Sequence, residues 1–370
     1  MNYRALLVVL IGLVFAQVGV TQATAATAPA KQASAKSTTK AASKPAPRAT
    51  TKAKVKAKSK AKTKPKAKVA AKPKKKSSAS VRRAAAVAAV PQAAESEIVS
   101  FELDRAGNPV LASSAFVVVN QKTGAVIAEK RAEAPMPIAS ITKLMTAMVV
   151  LDSRQSLSEM LTISAEDVDD LKGTGSRIAV GTRLTREEML RLALMSSENR
   201  AASALGRHYP GGRPAFIMAM NIKARMIGLW DTRFADSTGL NPANVSSPSD
   251  LVKMVQAAAA YPLIREFSTT PERYVTAGSR TLHFRNSNGL VRDPDWQVGL
   301  SKTGYIREAG RCLVMQTWVH GAPVIMVFMD SQGKYTRVAD ARRVKRWLET
   351  SGGQRLATVQ AQAKIGRAHV

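Results

Sequence analysis

The change of composition near residue 95 constrains the fold of this chain more than any other feature. Residues 1–94 contain 21 Lys or Arg residues but no Asp or Glu, and 20 of these basic residues lie between Lys31 and Arg83. That stretch is mostly Ala, Lys, Pro, Ser and Thr and has no aromatic residue, so burial cannot offset the entropy lost on ordering it. We therefore expect residues 26–94 to be disordered and the folded domain to span residues 95–350, followed by a tail of residues 351–370.

The N-terminal residues have the pattern of a secretory signal peptide. Arg4 supplies a positive charge, Ala5 to Val20 is apolar apart from Gln17, and Ala23-Thr-Ala25 is a small-residue cleavage site. At ~1.5 Å per residue the apolar stretch spans roughly 24 Å, which is less than the ~30 Å of a bilayer core. We expect residues 1–25 to be cleaved and the protein to be exported. An uncleaved membrane anchor is the alternative.

The basic segment dominates the net charge of +30. The remaining residues carry 35 basic and 26 acidic side chains, which is a net charge of +9. An exported polycation meets anionic cell-wall polymers and lipid head groups, so these are the partners that we expect for the segment, and no nucleic acid is expected. A solvated spacer without a specific partner is the alternative interpretation.

The folded part contains signals for both strands and helices. Two short apolar runs, Ala115–Asn120 and Ala125–Glu129, are joined through Lys122-Thr-Gly124, which predicts a hairpin. Further helices are predicted at Pro137–Leu151, Thr185–Met195, Phe216–Ile227, Leu251–Ala260 and Val338–Leu348, and further strands at Gln297–Lys302, Leu313–Trp318 and Val324–Met329. Helices inserted between an early hairpin and late strands predict an α/β fold of the α+β type, with an antiparallel sheet flanked by helices.

Three short motifs follow one another along the folded part: Ser140-Ile-Thr-Lys143, Ser197-Glu-Asn199 and Lys302-Thr-Gly304. Each pattern is common by chance, because Ser37-Thr-Thr-Lys40 also fits the first and Lys122-Thr-Gly124 also fits the third. Order and context separate the three motifs from these chance matches. Ser37-Thr-Thr-Lys40 lies in the Lys-rich segment, and Lys122-Thr-Gly124 lies in a predicted turn. The three motifs in this order are the signature of class A β-lactamases and penicillin-binding proteins.

Ser140 and Lys143 stand three residues apart on a predicted helix, so their side chains share one face. A serine hydroxyl becomes a good nucleophile only when a base takes its proton. Lysine is such a base when burial or a second nearby cation lowers its pKa, and Lys302 is the candidate for that cation. Taken alone, the pair is more often an ordinary helix start with a lysine that extends to solvent.

The other two motifs also have plain structural readings when each is taken alone. Ser197 and Asn199 could relay a proton and hold a substrate backbone, but they could equally cap the next helix. Lys302-Thr-Gly304 ends a predicted strand, where Gly304 allows the close approach of an extended peptide and Lys302 supplies charge for a carboxylate. It could equally be a solvent-exposed strand end. The three motifs together indicate a serine acyl-transfer site.

The residues around the motifs resemble one family. Ala139-Ser-Ile-Thr-Lys-Leu-Met-Thr146 is similar to the nucleophile helix of the D-alanyl-D-alanine peptidases, the low-molecular-mass penicillin-binding proteins of serine peptidase family S11. Asp236-Ser-Thr-Gly-Leu240 and Leu300-Ser-Lys-Thr-Gly304 strengthen the resemblance. Three segments resemble the D,D-endopeptidase branch, the penicillin-binding protein 7 type: His208-Tyr-Pro-Gly-Gly212, Phe284-Arg-Asn286 and Gly333-Lys-Tyr-Thr-Arg337. The resemblance covers about residues 112–350 and implies a β-lactamase/transpeptidase-like fold.

The resemblance also implies a role for each motif residue. Ser140 would form an acyl-enzyme, Lys143 would accept its proton, and Ser197 would pass a proton to the leaving amine. The substrate-binding residues would be Asn199, Lys302, Thr303, Gly304 and Tyr305. The backbone N–H groups of Ser140 and Tyr305 would form the oxyanion hole. The implied reaction cleaves peptidoglycan peptide stems next to D-Ala in the periplasm without a cofactor, and β-lactams that mimic the stem would acylate Ser140.

No residue pattern predicts a metal site or a disulfide. The four histidines, His208, His283, His320 and His369, lack the close paired spacing of a hydrolytic zinc site. The single cysteine, Cys312, lies in an apolar run and is expected to be a buried, inert thiol.

Three alternative functions stay open. The first is a D-Ala-D-Ala carboxypeptidase, although only about 20 residues follow Thr350, too few for the second β-rich domain of many carboxypeptidases in the family. The second is a serine β-lactamase, whose fast deacylation uses an additional glutamate, but no Glu-x-x-Leu-Asn stretch follows Asn199. The third is a polyanion-binding protein with a degenerate enzyme domain, which rests on the Lys-rich segment alone.

Overall fold

The computed structural model describes residues 102–105, 107–350 and 353. The predicted signal peptide, the Lys-rich segment and the motif at Ser37 lie outside the described residues, as does nearly all of the C-terminal tail. The strands are β1 (Ser113–Asn120), β2 (Val126–Lys130), β3 (Met136–Pro137), β4 (Met160–Thr162), β5 (Arg183–Thr185), β6 (Val245–Ser246), β7 (Glu272–Ala277), β8 (Arg280–Arg285), β9 (Val298–Ile306), β10 (Gly310–Val319) and β11 (Ala322–Ser331). The helices are α1 (Lys143–Asp152), α2 (Arg186–Met195), α3 (Asn199–Arg207), α4 (Gly212–Met226), α5 (Pro248–Ala259), α6 (Pro262–Thr269) and α7 (Thr336–Glu349).

Five strands form a central antiparallel sheet in the order β2-β1-β11-β10-β9. The middle strand β11 places Val327 between Val117 of β1 and Val314 of β10. The early hairpin and the late strands therefore meet in one sheet, with β2 and β9 at its two edges. This arrangement confirms the predicted fold class, an antiparallel sheet flanked by helices.

Both faces of the sheet are buried, because successive side chains enter two different apolar clusters. Val117 and Val327 belong to the larger cluster, which includes the side chains of helices α1 to α6. Val118 and Phe328 belong to the smaller cluster, which includes Trp347 of α7. A sheet covered on both sides explains why its strands are nearly continuous apolar runs in the sequence.

Helix α7 covers the smaller cluster and is anchored to the beginning of β1. The carboxylate of Asp340 accepts a hydrogen bond of 2.7 Å from the Ser113 hydroxyl and two more from the backbone N–H groups of Ala112 and Ser113. Asp340 is fully buried, so these bonds offset the loss of its hydration. The predicted closing helix is confirmed.

Helix α1 lies at the centre of the helical layer. Its residues Lys143–Val150 are buried, and it packs against each of the helices α2 to α6. The neighbouring helices begin with the predicted caps. The Thr185 hydroxyl accepts a hydrogen bond from the Glu188 N–H at the start of α2, and the Ser247 hydroxyl accepts one from the Asp250 N–H at the start of α5. The predicted starts of these two helices are thus confirmed.

Some element boundaries differ from the prediction. Helix α1 begins at Lys143 rather than Pro137, because residues Ala139–Thr142 form a tight 3-10 turn before it. Strand β9 continues through Lys302-Thr-Gly304 to Ile306, because β10 pairs with it along this whole length. Helix α6, the hairpin of β7 and β8 and the short strands β3 to β6 have no counterpart in the sequence prediction.

Candidate active site

Ser140 lies on a strained turn directly before α1. Ala139 has a φ of 48°, a left-handed value that is uncommon for a residue with a side chain. The Thr142 hydroxyl closes the turn by donating a 2.8 Å hydrogen bond to the carbonyl oxygen of Ala139. Gly239 packs so closely that a Cβ at its position would lie 1.9 Å from that same oxygen. The turn is therefore held from two sides, and position 239 requires glycine.

The amine of Lys143 meets three oxygen atoms. Its Nζ lies 2.8 Å from Ser140 Oγ, 2.7 Å from Asn199 Oδ1 and 2.7 Å from the carbonyl oxygen of Thr238. The side chain is completely buried, and this burial lowers its pKa from 10.5 to about 7 although the carboxylates of Asp236 and Glu198 oppose the shift. At neutral pH a large fraction of Lys143 is therefore an uncharged amine beside the serine hydroxyl.

Lys302 is a second buried amine, and Ser197 connects to it. Lys302 Nζ donates hydrogen bonds of 2.8 Å to Ser197 Oγ and of 2.8 Å to the carbonyl oxygen of Thr303. Burial, followed by the positive charges of Lys143 and Arg337, holds the pKa of Lys302 well below its usual range. Of the two expected causes, burial does lower the pKa of Lys143, whereas the charges that act on this amine are the negative ones of Asp236 and Glu198 rather than that of Lys302.

The edge strand β9 runs beside the nucleophile turn. A Cβ at Gly304 would lie 2.9 Å from the carbonyl oxygen of Ile138 and 3.2 Å from the backbone nitrogen of Ser140. Arg337 supports this strand from α7 with a 2.8 Å hydrogen bond to the carbonyl oxygen of Gly304. The side chain of Tyr305 is exposed. An extended peptide that added to this edge of the sheet would pass directly over Ser140.

A family model described as D-alanyl-D-alanine carboxypeptidase, peptidase S11, matches residues 103–333. The chain belongs to the S11 peptidase family. This S11 peptidase is 47% identical to the D-alanyl-D-alanine endopeptidase of Pseudomonas aeruginosa over 268 residues, which cover 71% of this chain and 86% of that protein. It is 46% identical to the D-alanyl-D-alanine endopeptidase of Escherichia coli over 264 residues, which cover 71% of this chain and 85% of that protein.

Solved structures agree with this membership. The Streptomyces K15 DD-transpeptidase is 30% identical to the S11 peptidase and superposes with a TM-score of 0.60, covering 65% of this chain and 97% of that one. The resemblance inferred from the three motifs is thus confirmed at the level of family and fold.

The S11 peptidase brings the predicted motif residues together from three distant parts of its sequence. Ser140, Lys143 and Asn199 form one hydrogen-bonded group, and Ser197 and Lys302 form a second. The predicted substrate-binding residues Thr303, Gly304 and Tyr305 lie on β9. The other Lys-Thr-Gly sequence, at Lys122, lies in the turn between β1 and β2, at the far edge of the sheet from β9.

Three contacts of the S11 peptidase site were not foreseen. The carbonyl oxygen of Thr238 contacts Lys143, the Ser287 hydroxyl accepts a 2.7 Å hydrogen bond from Thr303, and the Thr174 hydroxyl accepts a 3.0 Å hydrogen bond from Asn199. Two of these contacts involve residues in or next to segments that carried the resemblance. Thr238 lies within Asp236–Leu240, and Ser287 comes directly after Phe284-Arg-Asn286. Thr174 lies in a loop that carries none of the recognised motifs.

Proposed function

We propose that this S11 peptidase is a periplasmic serine-type D-alanyl-D-alanine endopeptidase that cleaves peptidoglycan cross-links through an acyl-enzyme on Ser140. The observation that carries the proposal is the 2.8 Å contact between the Ser140 hydroxyl and the Lys143 amine. Because burial lowers the pKa of that amine to about 7, it can serve as a general base at the pH at which the reaction must run.

The geometry supports a two-step acyl transfer. Lys143 removes the proton from Ser140 Oγ while this oxygen bonds to the carbonyl carbon of the scissile D-Ala peptide. The backbone N–H groups of Ser140 and Tyr305 hold the oxygen that becomes negative. The bond to the following amine then breaks, and the proton removed from Ser140 reaches that amine by way of the lysine amines and Ser197. Water finally hydrolyses the ester and restores the free Ser140 hydroxyl.

Substrate binding follows from the second group of residues. We assign the terminal carboxylate region of the bound peptide to Lys302 and its backbone to Asn199 and to the edge of β9, which comprises Thr303, Gly304 and Tyr305. Among the described residues, the amine of Lys302 donates its hydrogen bonds to the Ser197 hydroxyl and to the carbonyl oxygen of Thr303, and neither is a carboxylate. A substrate carboxylate would therefore supply the negative charge that this amine attracts most strongly at low local dielectric.

The choice of endopeptidase over carboxypeptidase rests on the relatives. The two proteins that match at 46–47% identity are both named endopeptidase, whereas the family description names the carboxypeptidase activity. Both activities use the same acyl-enzyme and differ in what the site accepts beyond the broken bond. A D-Ala-D-Ala carboxypeptidase therefore remains the second candidate function.

The cellular setting follows from the N-terminal sequence. No helix among the described residues is long and apolar enough to cross a membrane. The signal-peptide pattern of residues 1–25 supports an exported enzyme that meets peptidoglycan in the periplasm. We also assign β-lactams as inhibitors that acylate Ser140, and anionic cell-wall or membrane polymers as contacts of the Lys-rich segment.

Digestion of purified sacculi tests the proposed function. The full chain is incubated with cross-linked sacculi, the products are separated by chromatography, and Ser140→Ala serves as the control. Conversion of cross-linked dimers to monomers, lost in Ser140→Ala, is the expected result. Release of free D-Ala without loss of cross-links would assign the carboxypeptidase instead, and an active Ser140→Ala variant would refute the acyl-enzyme on this residue.

A further inference from the structure

Two partners fix the side-chain amide of Asn199. Its Oδ1 lies 2.7 Å from Lys143 Nζ, and its Nδ2 donates a 3.0 Å hydrogen bond to Thr174 Oγ1. The Thr174 hydroxyl in turn donates a 2.6 Å hydrogen bond to Asp169 Oδ2. A hydroxyl has one hydrogen, and Thr174 donates it to the carboxylate of Asp169. An ionised carboxylate has no hydrogen and can only accept. The Thr174 oxygen therefore offers only lone pairs to the amide of Asn199.

Asp169 is well suited to remain ionised. Although its partial burial opposes ionisation, the hydroxyl and backbone hydrogen bonds from Thr174 and the N–H groups of Lys172 and Leu171 lower its pKa. As long as the carboxylate accepts from Thr174, a reversed Asn199 amide would place its oxygen against another oxygen that has no hydrogen to give. The chain of hydrogen bonds from Asp169 through Thr174 to Asn199 thus selects one orientation of the amide.

That orientation controls the direction of the lone pair on Lys143. The uncharged amine has two hydrogens and one lone pair, and it contacts three oxygens. Asn199 Oδ1 and the Thr238 carbonyl can only accept, so they take the two hydrogens. The remaining contact is the Ser140 hydroxyl, which can donate. The lone pair is therefore directed at the proton that a general base must remove.

We propose that Asp169 and Thr174 are positioning residues which fix the amide of Asn199 and thereby aim the lone pair of Lys143 at Ser140. The inference rests on the proposed acyl-enzyme function. With the amide reversed, an Asn199 N–H would face the Lys143 amine and compete with the Ser140 hydroxyl for its lone pair. The base would then be present at the right distance but occupied by the wrong donor.

The loop that carries Thr174 has other anchors, so its hydroxyl can be removed selectively. Ser176 donates a 2.7 Å hydrogen bond to the carboxylate of Glu198, Arg200 donates one of 2.7 Å to the carbonyl oxygen of Ile178, and Lys172 pairs with Glu308. Asp169, in contrast, also accepts backbone hydrogen bonds that shape the loop. Thr174 is therefore the sharper position for a test.

The test compares Thr174→Val, which keeps the shape and removes the hydroxyl, with Thr174→Ser, which keeps the hydroxyl. The second-order rate of acylation by a fluorescent penicillin is measured from about pH 5 to about pH 9 on the full chain. We expect the maximal acylation rate of Thr174→Val to be about tenfold lower than that of the wild type, which is the effect of one hydrogen bond. The rate of Thr174→Ser should stay within about twofold of the wild type. Thr123→Val, in the distant β1–β2 turn, is the matched control.

The pH profile separates positioning from mere loosening of the loop. The carboxylates that act on Lys143, namely Asp236 and Glu198, and the nearby amine of Lys302, whose own pKa Lys143 lowers, are the same in every variant. In Thr174→Val an amide N–H facing Lys143 disfavours the ammonium form, so the acid limb of the profile shifts to lower pH. A loosened loop would lower the thermal midpoint and leave this limb in place.

The outcomes are distinct. Equal loss in Thr174→Val and Thr174→Ser, or a Thr174→Val rate within twofold of the wild type, would overturn the positioning role, as would an unshifted acid limb. If the wild-type chain itself is not acylated, or if Ser140→Ala is acylated, the proposed function fails and the inference fails with it.

Discussion

Gly239→Ala tests how tightly the nucleophile turn is held. Gly239 has a φ of 82°, and a Cβ there would lie 1.9 Å from the carbonyl oxygen of Ala139 and 2.9 Å from the backbone nitrogen of Ser140. Real Cβ atoms essentially never approach closer than 3.0 Å, so the turn must move by at least 3.0 − 1.9 = 1.1 Å. A displacement of ~1 Å at reacting atoms costs about 100-fold in rate. We therefore expect the acylation of Ser140 by a fluorescent penicillin to fall at least about 100-fold.

Gly124→Ala is the matched control for this substitution. Gly124 has a φ of 77°, and a Cβ there would meet no heavy atom of the described residues within 4 Å. Both variants bear the cost of a left-handed alanine, about 1–2 kcal/mol, but only Gly239→Ala bears the clash. Gly124→Ala should label within about twofold of the wild type. A folded Gly239→Ala, verified by circular dichroism, that labels at the wild-type rate would refute the close packing of residue 239 on the turn.

Four further predictions follow from the site and the sequence. The acylation rate should rise with pH and be half-maximal near the Lys143 pKa of about 7; a rate that is constant across this pH would contradict lysine as the base. Lys143→Met should lower acylation at least about 100-fold, and it should raise the thermal midpoint at pH 6, because the folded pKa lies below the unfolded value of 10.5; this gain should shrink as pH rises from 7 toward 10.5. The penicilloyl adduct on Ser140 should persist in mass spectra, whereas rapid turnover of a chromogenic cephalosporin would indicate a β-lactamase. Deletion of residues 27–94 should leave cleavage of soluble cross-linked muropeptides unchanged but weaken binding to sacculi; loss of cleavage in the folded remainder would contradict a separate role for the Lys-rich segment.

Local signals predicted the parts of the fold that obey local rules. The hairpin turn with Gly124 and the helix caps at Thr185 and Ser247 depend on neighbouring residues only, and all three are present in the structure. The strand β9 was predicted to stop near Lys302 because polar residues there interrupt its apolar pattern. In the fold Lys302 and Thr303 are buried within the strand, because the site rather than the core surrounds them. Sequence patterns therefore failed where function overrides the usual burial of apolar residues.

The same distinction applies to the site. Ser140, Lys143 and Lys302 could be found because their chemistry needs particular side chains at particular spacings. Thr238 contributes a carbonyl oxygen to Lys143, which any residue type could supply, so no residue pattern marks it. Thr174 stands between two glycines in a loop without periodicity, and only the tertiary fold brings it to Asn199. Contacts of backbone atoms and of long loops are thus the part of a site that a single sequence does not reveal.

The site is where this protein gives up stability for reactivity. Lowering the pKa of Lys143 from 10.5 to about 7 corresponds to a destabilisation of about 5 kcal/mol when the amine must be protonated below neutral pH. Ala139 and Ser197, with φ values of 48° and 62°, add backbone strain of about 1–3 kcal/mol each. These terms are comparable with the whole stability of an ordinary domain, about 5–15 kcal/mol, so the rest of the fold must compensate for them. The sheet buried on both faces and the helix α1 buried at the centre of its layer supply that surplus, and they hold the strained turn and both lysines in place.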